Sequence, residues 1–143
     1  MSDRKLNQNM AELNVIVVTP ETTVLEKSAE FVALPLFDGE IGIAPGHSPM
    51  IGRLGYGELR IRTGGSTETL YVDGGFVQVA NNIVSVLTNR ALPAEALDAQ
   101  VAADQLASAR NRKANTDELL AIRDRLESQA RAQLRVATHA GTR

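Results

Sequence analysis

The chain has no cysteine and no tryptophan, and only three Phe and two Tyr among its 143 residues. Without thiols it forms neither disulfides nor thiolate metal sites, and thiol catalysis is excluded. With aromatics at 3%, the core has to be assembled from Val, Ile, Leu and Ala, and little remains for stacking. Basic residues are not in excess either: 15 Lys and Arg face 17 Asp and Glu, for a formal charge of −2. Nucleic-acid affinity needs clustered cations that release counterions, so no nucleic-acid partner is expected. Nowhere do about 18 apolar residues run together, so any link to a membrane is expected to pass through a partner rather than by direct insertion.

What is present changes character along the chain. Residues 1–10 are polar, lack the apolar stretch of a secretory signal, and read as a disordered leader. From residue 11 to residue 91 short alternating apolar runs are separated by Gly, Pro, Asn and Asp, the pattern of a sheet protein with tight turns. The runs are Leu13–Val18, Phe31–Leu36, Tyr56–Arg62, Leu70–Asp73, Phe76–Ala80 and Ile83–Leu87. Gly64-Gly65 and Asn81-Asn82 are hairpin signals, because these residues tolerate positive φ. Strands this short predict a β-sandwich or flattened barrel. Ten of the eleven glycines fall between Gly39 and Gly75, which assigns the later residues to a different regime; the glycines from Gly39 to Gly57 read as turn glycines.

Residues 92–137 read as an α-helical hairpin and 138–143 as a frayed tail. Pro93 suits a first helical position, and Glu95 and Asp98 place negative charge near the positive end of a helix running to about Lys113. Asn115 with Glu118 resembles a capping box opening a second helix. Its apolar stripe is Leu119, Ile122, Leu126, Ala130 and Leu134; Arg123, Asp124, Glu127, Arg131 and Arg135 lie on the other face. An alanine-rich pair of helices buries modest area, so its docking is expected to be worth only a few kcal/mol at about 25 cal/mol per Å².

Catalytic chemistry has thin support. A hydrolase can be written with His47, Ser48 and an acid from Asp38 or Glu40, but adjacent His and Ser on a Pro-bounded turn diverge, and no oxyanion-hole motif accompanies them. The glycines form neither phosphate-loop pattern, and no carboxylate or histidine spacing suits a metal. No catalytic residue, metal or cofactor is therefore expected. A free-standing sandwich module binding a small ligand stays as the alternative from another class.

One segment carries more information than its composition. Phe37-Asp38-Gly39-Glu40-Ile41-Gly42-Ile43-Ala44-Pro45-Gly46-His47-Ser48-Pro49 resembles the G-[DE]-x-G-I-x-P-G-H-x-P segment of F-type ATP synthase epsilon subunits. Leu54-Gly55-Tyr56-Gly57, Asp73-Gly74-Gly75-Phe76-Val77-Gln78-Val79 and Val86-Leu87-Thr88-Asn89-Arg90-Ala91 follow in the family's order, so the resemblance covers about Leu13 to Val136.

The resemblance implies an α+β fold with a ten-stranded N-terminal β-sandwich and a C-terminal antiparallel two-helix hairpin. It implies a non-catalytic rotor subunit, bound to the gamma shaft and seated on the membrane ring of c subunits, at the cytoplasmic face of the bacterial cell membrane. The mitochondrial counterpart shares the fold; the absence of an Arg-rich presequence favours bacteria. Asp38, Gly39, Glu40 and Gly42, with His47, are the implied contact for the ring's polar loops. Arg123, Arg125 and Arg131 are the implied basic face by which an extended hairpin meets the catalytic alpha and beta subunits and inhibits hydrolysis. A family ATP motif, [IL]-D-x-x-R-A, corresponds here to Leu97, Asp98 and Ala102, with Val101 where the arginine belongs. Without that guanidinium the charge-assisted contact to phosphate is missing.

Overall fold

The computed structural model describes residues 12–141 and divides the chain into two compact units, with the boundary after Ala91. The leader assigned to residues 1–10 lies outside the described residues, as do Thr142 and Arg143 of the tail.

The first unit is built from β1 (Leu13–Val18), β2 (Thr23–Ala29), β3 (Phe31–Leu36), β4 (Gly39–Ile43), β5 (Met50–Thr63), β6 (Ser66–Ala80) and β7 (Ile83–Leu87), and a short β8 (Ala91–Pro93) begins at its last residue. The hydrogen-bonded order is β2-β1-β7-β6-β5-β3-β4, with β8 against β6. Neighbours on this path are antiparallel except β1 and β7, which run parallel. The sheet thus has eight strands rather than ten and does not close, since β2 and β4 are its free edges. The physical reason is continuity: β5 and β6 run 14 and 15 residues without a break, where alternation alone suggested shorter pieces.

That long ribbon changes which side it turns to the core. Leu54 is buried in the first part of β5, whereas Gly57, Leu59 and Ile61 are buried beyond it, which is the opposite phase. In β6 the core phase passes from Leu70 and Val72 to Val77 and Val79. Leu54 still pairs with Gly75 and Tyr56 with Asp73, so the switch occurs with no register slip. A strand's two faces alternate strictly, so such a switch demands a sharp local twist. Gly74 and Gly75 supply it at φ of 71° and 109°. Only glycine fits at Gly75, where an added Cβ would run into the carbonyl oxygen of Leu87.

Hydrogen bonds pin the next segment to the twist. Tyr71 Oη donates to Asp73 Oδ1 (2.8 Å), and the Asp73 amide donates to Thr88 Oγ1 (3.0 Å) and to the Arg90 carbonyl (3.1 Å). Asn89 Nδ2 donates to the Asp73 carbonyl at 3.2 Å. The buried apolar cluster is aliphatic, including Val15, Val17, Val32, Leu34, Leu59, Ile61, Val77 and Val86, and all its buried members lie between Leu13 and Val86. Both hairpin signals behave as their chemistry requires: Gly64 and Gly65 have φ of 55° and 86°, Asn81 and Asn82 have 53° and 62°.

The second unit opens with a 3-10 turn (Ala94–Ala96), followed by α1 (Ala99–Arg110) and α2 (Asp117–Gly141). Asp98 caps α1, its side chain accepting from the amides of Gln100 (2.8 Å) and Val101 (3.2 Å). The cap of α2 is Thr116, one residue later than Asn115: Thr116 Oγ1 accepts from the Leu119 amide at 3.1 Å. Helix continues to Gly141, through residues read as a frayed tail. Arg110, at the end of α1, reaches Glu127 at 3.5 Å, and burial in α2 is concentrated from Ala130 to Ala137. The helices are therefore antiparallel, and the first turns of α2, with Leu119 and Leu120 exposed, overhang the end of α1.

Candidate functional site

Residues 37 and 38 form the two-residue loop between β3 and β4, whose last pair is Leu36 with Gly39. Phe37, Asp38, Gly39 and Glu40 are all exposed there. Glu40 is held by Arg60 of β5, whose Nη2 and Nη1 reach the two carboxylate oxygens at 2.7 and 3.3 Å, a fork that fixes the acid's orientation. Arg60 also reaches Glu58 at 3.3 Å. The hydrogen bond to Glu40 raises the Arg60 pKa above its ordinary value, against a smaller opposing effect of desolvation, so the cation persists at any physiological pH. Side chains of this pair are 37% and 52% exposed, so it orients more than it stabilises.

Gly42 lies in edge strand β4 and is not a turn glycine; Gly52, Gly55 and Gly57 likewise fall inside β5. A Cβ at Gly42 would stand 2.6 Å from Cζ of Phe31, whose ring covers the strand there.

His47 sits beyond the other end of β4. Its amide donates to the Ala44 carbonyl (3.2 Å), and the Gly46 amide donates to Asn82 Oδ1 (2.7 Å), tying this turn to the β6–β7 turn. Five residues of strand separate the two ends of β4, about 15 Å at ~3.3 Å per residue. The structure therefore brings Asp38, Gly39 and Glu40 together and places His47 elsewhere. The hydrolase arrangement does not form: His47 Nδ1 lies 2.7 Å from the carbonyl oxygen of Ser48, leaving the hydroxyl out of that contact, and the acids are at the far end of the strand. Among the described residues no three His, Cys, Asp or Glu side chains cluster as metal ligands would.

In the second unit, Arg131 Nη2 pairs with Glu127 one turn away at 2.8 Å, and Arg123 Nε lies 4.0 Å from Asp124. Arg125 is exposed in the overhanging part of α2. Of the residues of the ATP motif, Asp98 is engaged as a cap, Leu97 is half-buried and Ala102 is buried.

A surface that the motifs did not single out runs across the first unit. Val18, Leu87, Phe76 and Arg53 are successive cross-strand partners on β1, β7, β6 and β5. Phe37 extends this row, its amide donating to the Arg53 carbonyl (2.8 Å) and its ring lying 4.6 Å beneath the Arg53 guanidinium. Phe76 is 59% exposed, Leu87 52%, Phe37 69% and nearby Ile51 77%. A groove of about 730 Å³ follows the row. The other part of the β5–β6 ribbon carries the charged outer side chains Glu58, Arg60 and Arg62. The phase of Phe76 with Gln78, opposite the buried Val77 and Val79, was the available sequence signal for this face.

Residues 12–94 match the family described as ATP synthase, delta/epsilon chain, beta-sandwich domain. The ATP synthase epsilon chain of Rhodopirellula baltica is 49% identical over 125 residues, covering 87% of this chain and 98% of that protein. The epsilon chain of Granulibacter bethesdensis is 36% identical over 135 residues, covering 91% and 100%. Among solved structures, a chain of the Euglena gracilis mitochondrial ATP synthase (OSCP/F1/c-ring) superposes with a TM-score of 0.79 at 20% identity, over 93% of this chain and 82% of that one. A chain from the central stalk/c-ring of the Tetrahymena thermophila mitochondrial enzyme superposes at 0.70 with 16% identity, over 87% and 96%. At these identities the structural likeness speaks for the fold.

Proposed function

The chain belongs to the ATP synthase epsilon chain family, non-catalytic stalk subunits of the synthase, and we propose that it works as a rigid adaptor in the rotor, clamped to the gamma shaft by the outer apolar face of its sandwich. One observation carries this reading. Phe76, Leu87, Ile51 and Phe37 stand exposed together on one part of the sheet's outer surface, while the charged Glu58, Arg60 and Arg62 occupy another. Contiguous exposed apolar surface on a small domain marks a protein interface. Torque transmission needs stiffness and two attachments, and no bond chemistry.

The second attachment is the β3–β4 turn. Asp38, Gly39 and Glu40 present polar groups on a rigid scaffold, with Glu40 oriented by Arg60, and they suit the polar loops of a ring of c subunits. His47, at the other end of β4, and Gly42, beneath Phe31, stand outside that contact. The hairpin is the regulatory part: Arg123, Arg125 and Arg131 meet acidic segments of the catalytic alpha and beta subunits when it extends, and slow hydrolysis. No helix among the described residues is long and apolar enough to cross a membrane. Attachment to the cytoplasmic face of the bacterial membrane therefore runs through the ring.

Co-purification tests the clamp. The full chain should elute with its gamma subunit as a stable complex, and Phe76→Asp should elute apart from it while melting as the unaltered chain does. Equal complex formation by both proteins would remove the apolar face from the account.

A further inference from the structure

Within the groove along the outer face, Arg53 is the sole charged lining residue; Phe76, Leu87, Val18 and Pro20 make up half of the remainder. Ion pairs among the described residues engage Lys27, Arg60, Arg62, Arg110, Arg123 and Arg131, and no carboxylate pairs with Arg53. Its neighbours across the strands are rings: Phe76 on β6, and Phe37, over which the guanidinium stacks at 4.6 Å. Stacking occupies one face of the guanidinium plane and leaves the edge N–H groups pointing outward, already oriented. The other polar groups beside it are engaged internally, Thr88 Oγ1 with the Asp73 amide and the Arg90 carbonyl, and Asn89 Nδ2 with the Asp73 carbonyl.

A partner that covers Phe76 and Leu87 necessarily covers Arg53, which lies directly beside Phe76. Burying a guanidinium without an anion is costly, whereas a forked carboxylate contact offsets the lost hydration and fixes register. We propose that Arg53 is the specificity-determining residue of the docking face: the shaft segment that enters the groove carries a large apolar side chain with an Asp or Glu beside it, and that carboxylate closes on the Arg53 fork. This rests on the reading that the outer face docks gamma, and adds the chemistry by which a correct shaft is told from an incorrect one.

The test is the affinity of the full chain for its gamma subunit across a salt series, with Arg53→Gln, Arg53→Lys, Arg53→Glu and Phe76→Asp alongside the unaltered protein. Arg53 is exposed on its strand, so each Arg53 variant should melt as the unaltered chain does. Arg53→Gln should weaken the complex on the order of 30-fold and flatten its salt dependence. Arg53→Lys, which keeps the charge and loses the fork, should fall between. Arg53→Glu should bind worst, and one Asp or Glu→Arg change on gamma should restore it. If Arg53→Gln binds as tightly as the unaltered chain while Phe76→Asp does not bind, the docking face stands and the carboxylate contact is overturned. If Phe76→Asp also binds normally, the reading of the face fails with it. Failure of every gamma acid to rescue Arg53→Glu overturns the proposal too.

Discussion

Gly75 shows how much a single residue settles. It lies where β6 turns its other side to the core, at φ of 109°, with the Leu87 carbonyl where a Cβ would go. Gly75→Ala should therefore cost about 3 kcal/mol or more in a urea unfolding curve. Gly46 has a φ of 85° but open space around its missing Cβ, so Gly46→Ala should lose only about 1–2 kcal/mol, the left-handed backbone cost alone. At this scale the sequence was half legible. Gly64-Gly65 and Asn81-Asn82 announce their turns through their own backbone preferences. That Gly42 yields to the Phe31 ring, that Glu40 belongs to Arg60, and that His47 meets the Ser48 carbonyl all depend on which strands lie side by side.

Among the elements, β1, β3 and β7 end where alternation and turn residues say they should. β2 escaped notice because Thr23–Ala29 is a half-exposed edge strand with little apolar signal, and β4 because its Gly39 and Gly42 read as turn chemistry. β5 and β6 looked like fragments because the alternation reverses phase at the twist, although their ladder is continuous. Both Asn115 and Thr116 can cap α2, and the Thr116 hydroxyl takes the position. The buried apolar cluster draws all its members from before the boundary at Ala91, so residues 1–91 should fold without the hairpin and keep a dispersed amide spectrum. The same cut removes the basic positions on α2. A catalytic head rebuilt with gamma and the truncated chain should therefore hydrolyse ATP faster than one rebuilt with the full chain; equal rates at every ATP concentration would limit the protein to coupling and assembly.

For the whole molecule, family membership and the change from sheet to helices were legible from ordered motifs spread over most of the chain. The docking face was not, because exposure of Phe76, Leu87, Ile51 and Phe37 follows from cross-strand pairing and from the twist that separates an apolar outer surface from a charged one. The account's central claim is that the apolar side faces the shaft. Because the chain contains no cysteine, a single introduced thiol is a unique probe. The most direct measurement is short-range cross-linking in the assembled synthase, with Phe76→Cys on the apolar face and Arg62→Cys on the charged one. The account predicts that Phe76→Cys captures gamma and Arg62→Cys does not. Capture from Arg62→Cys alone, or from neither position, would contradict it.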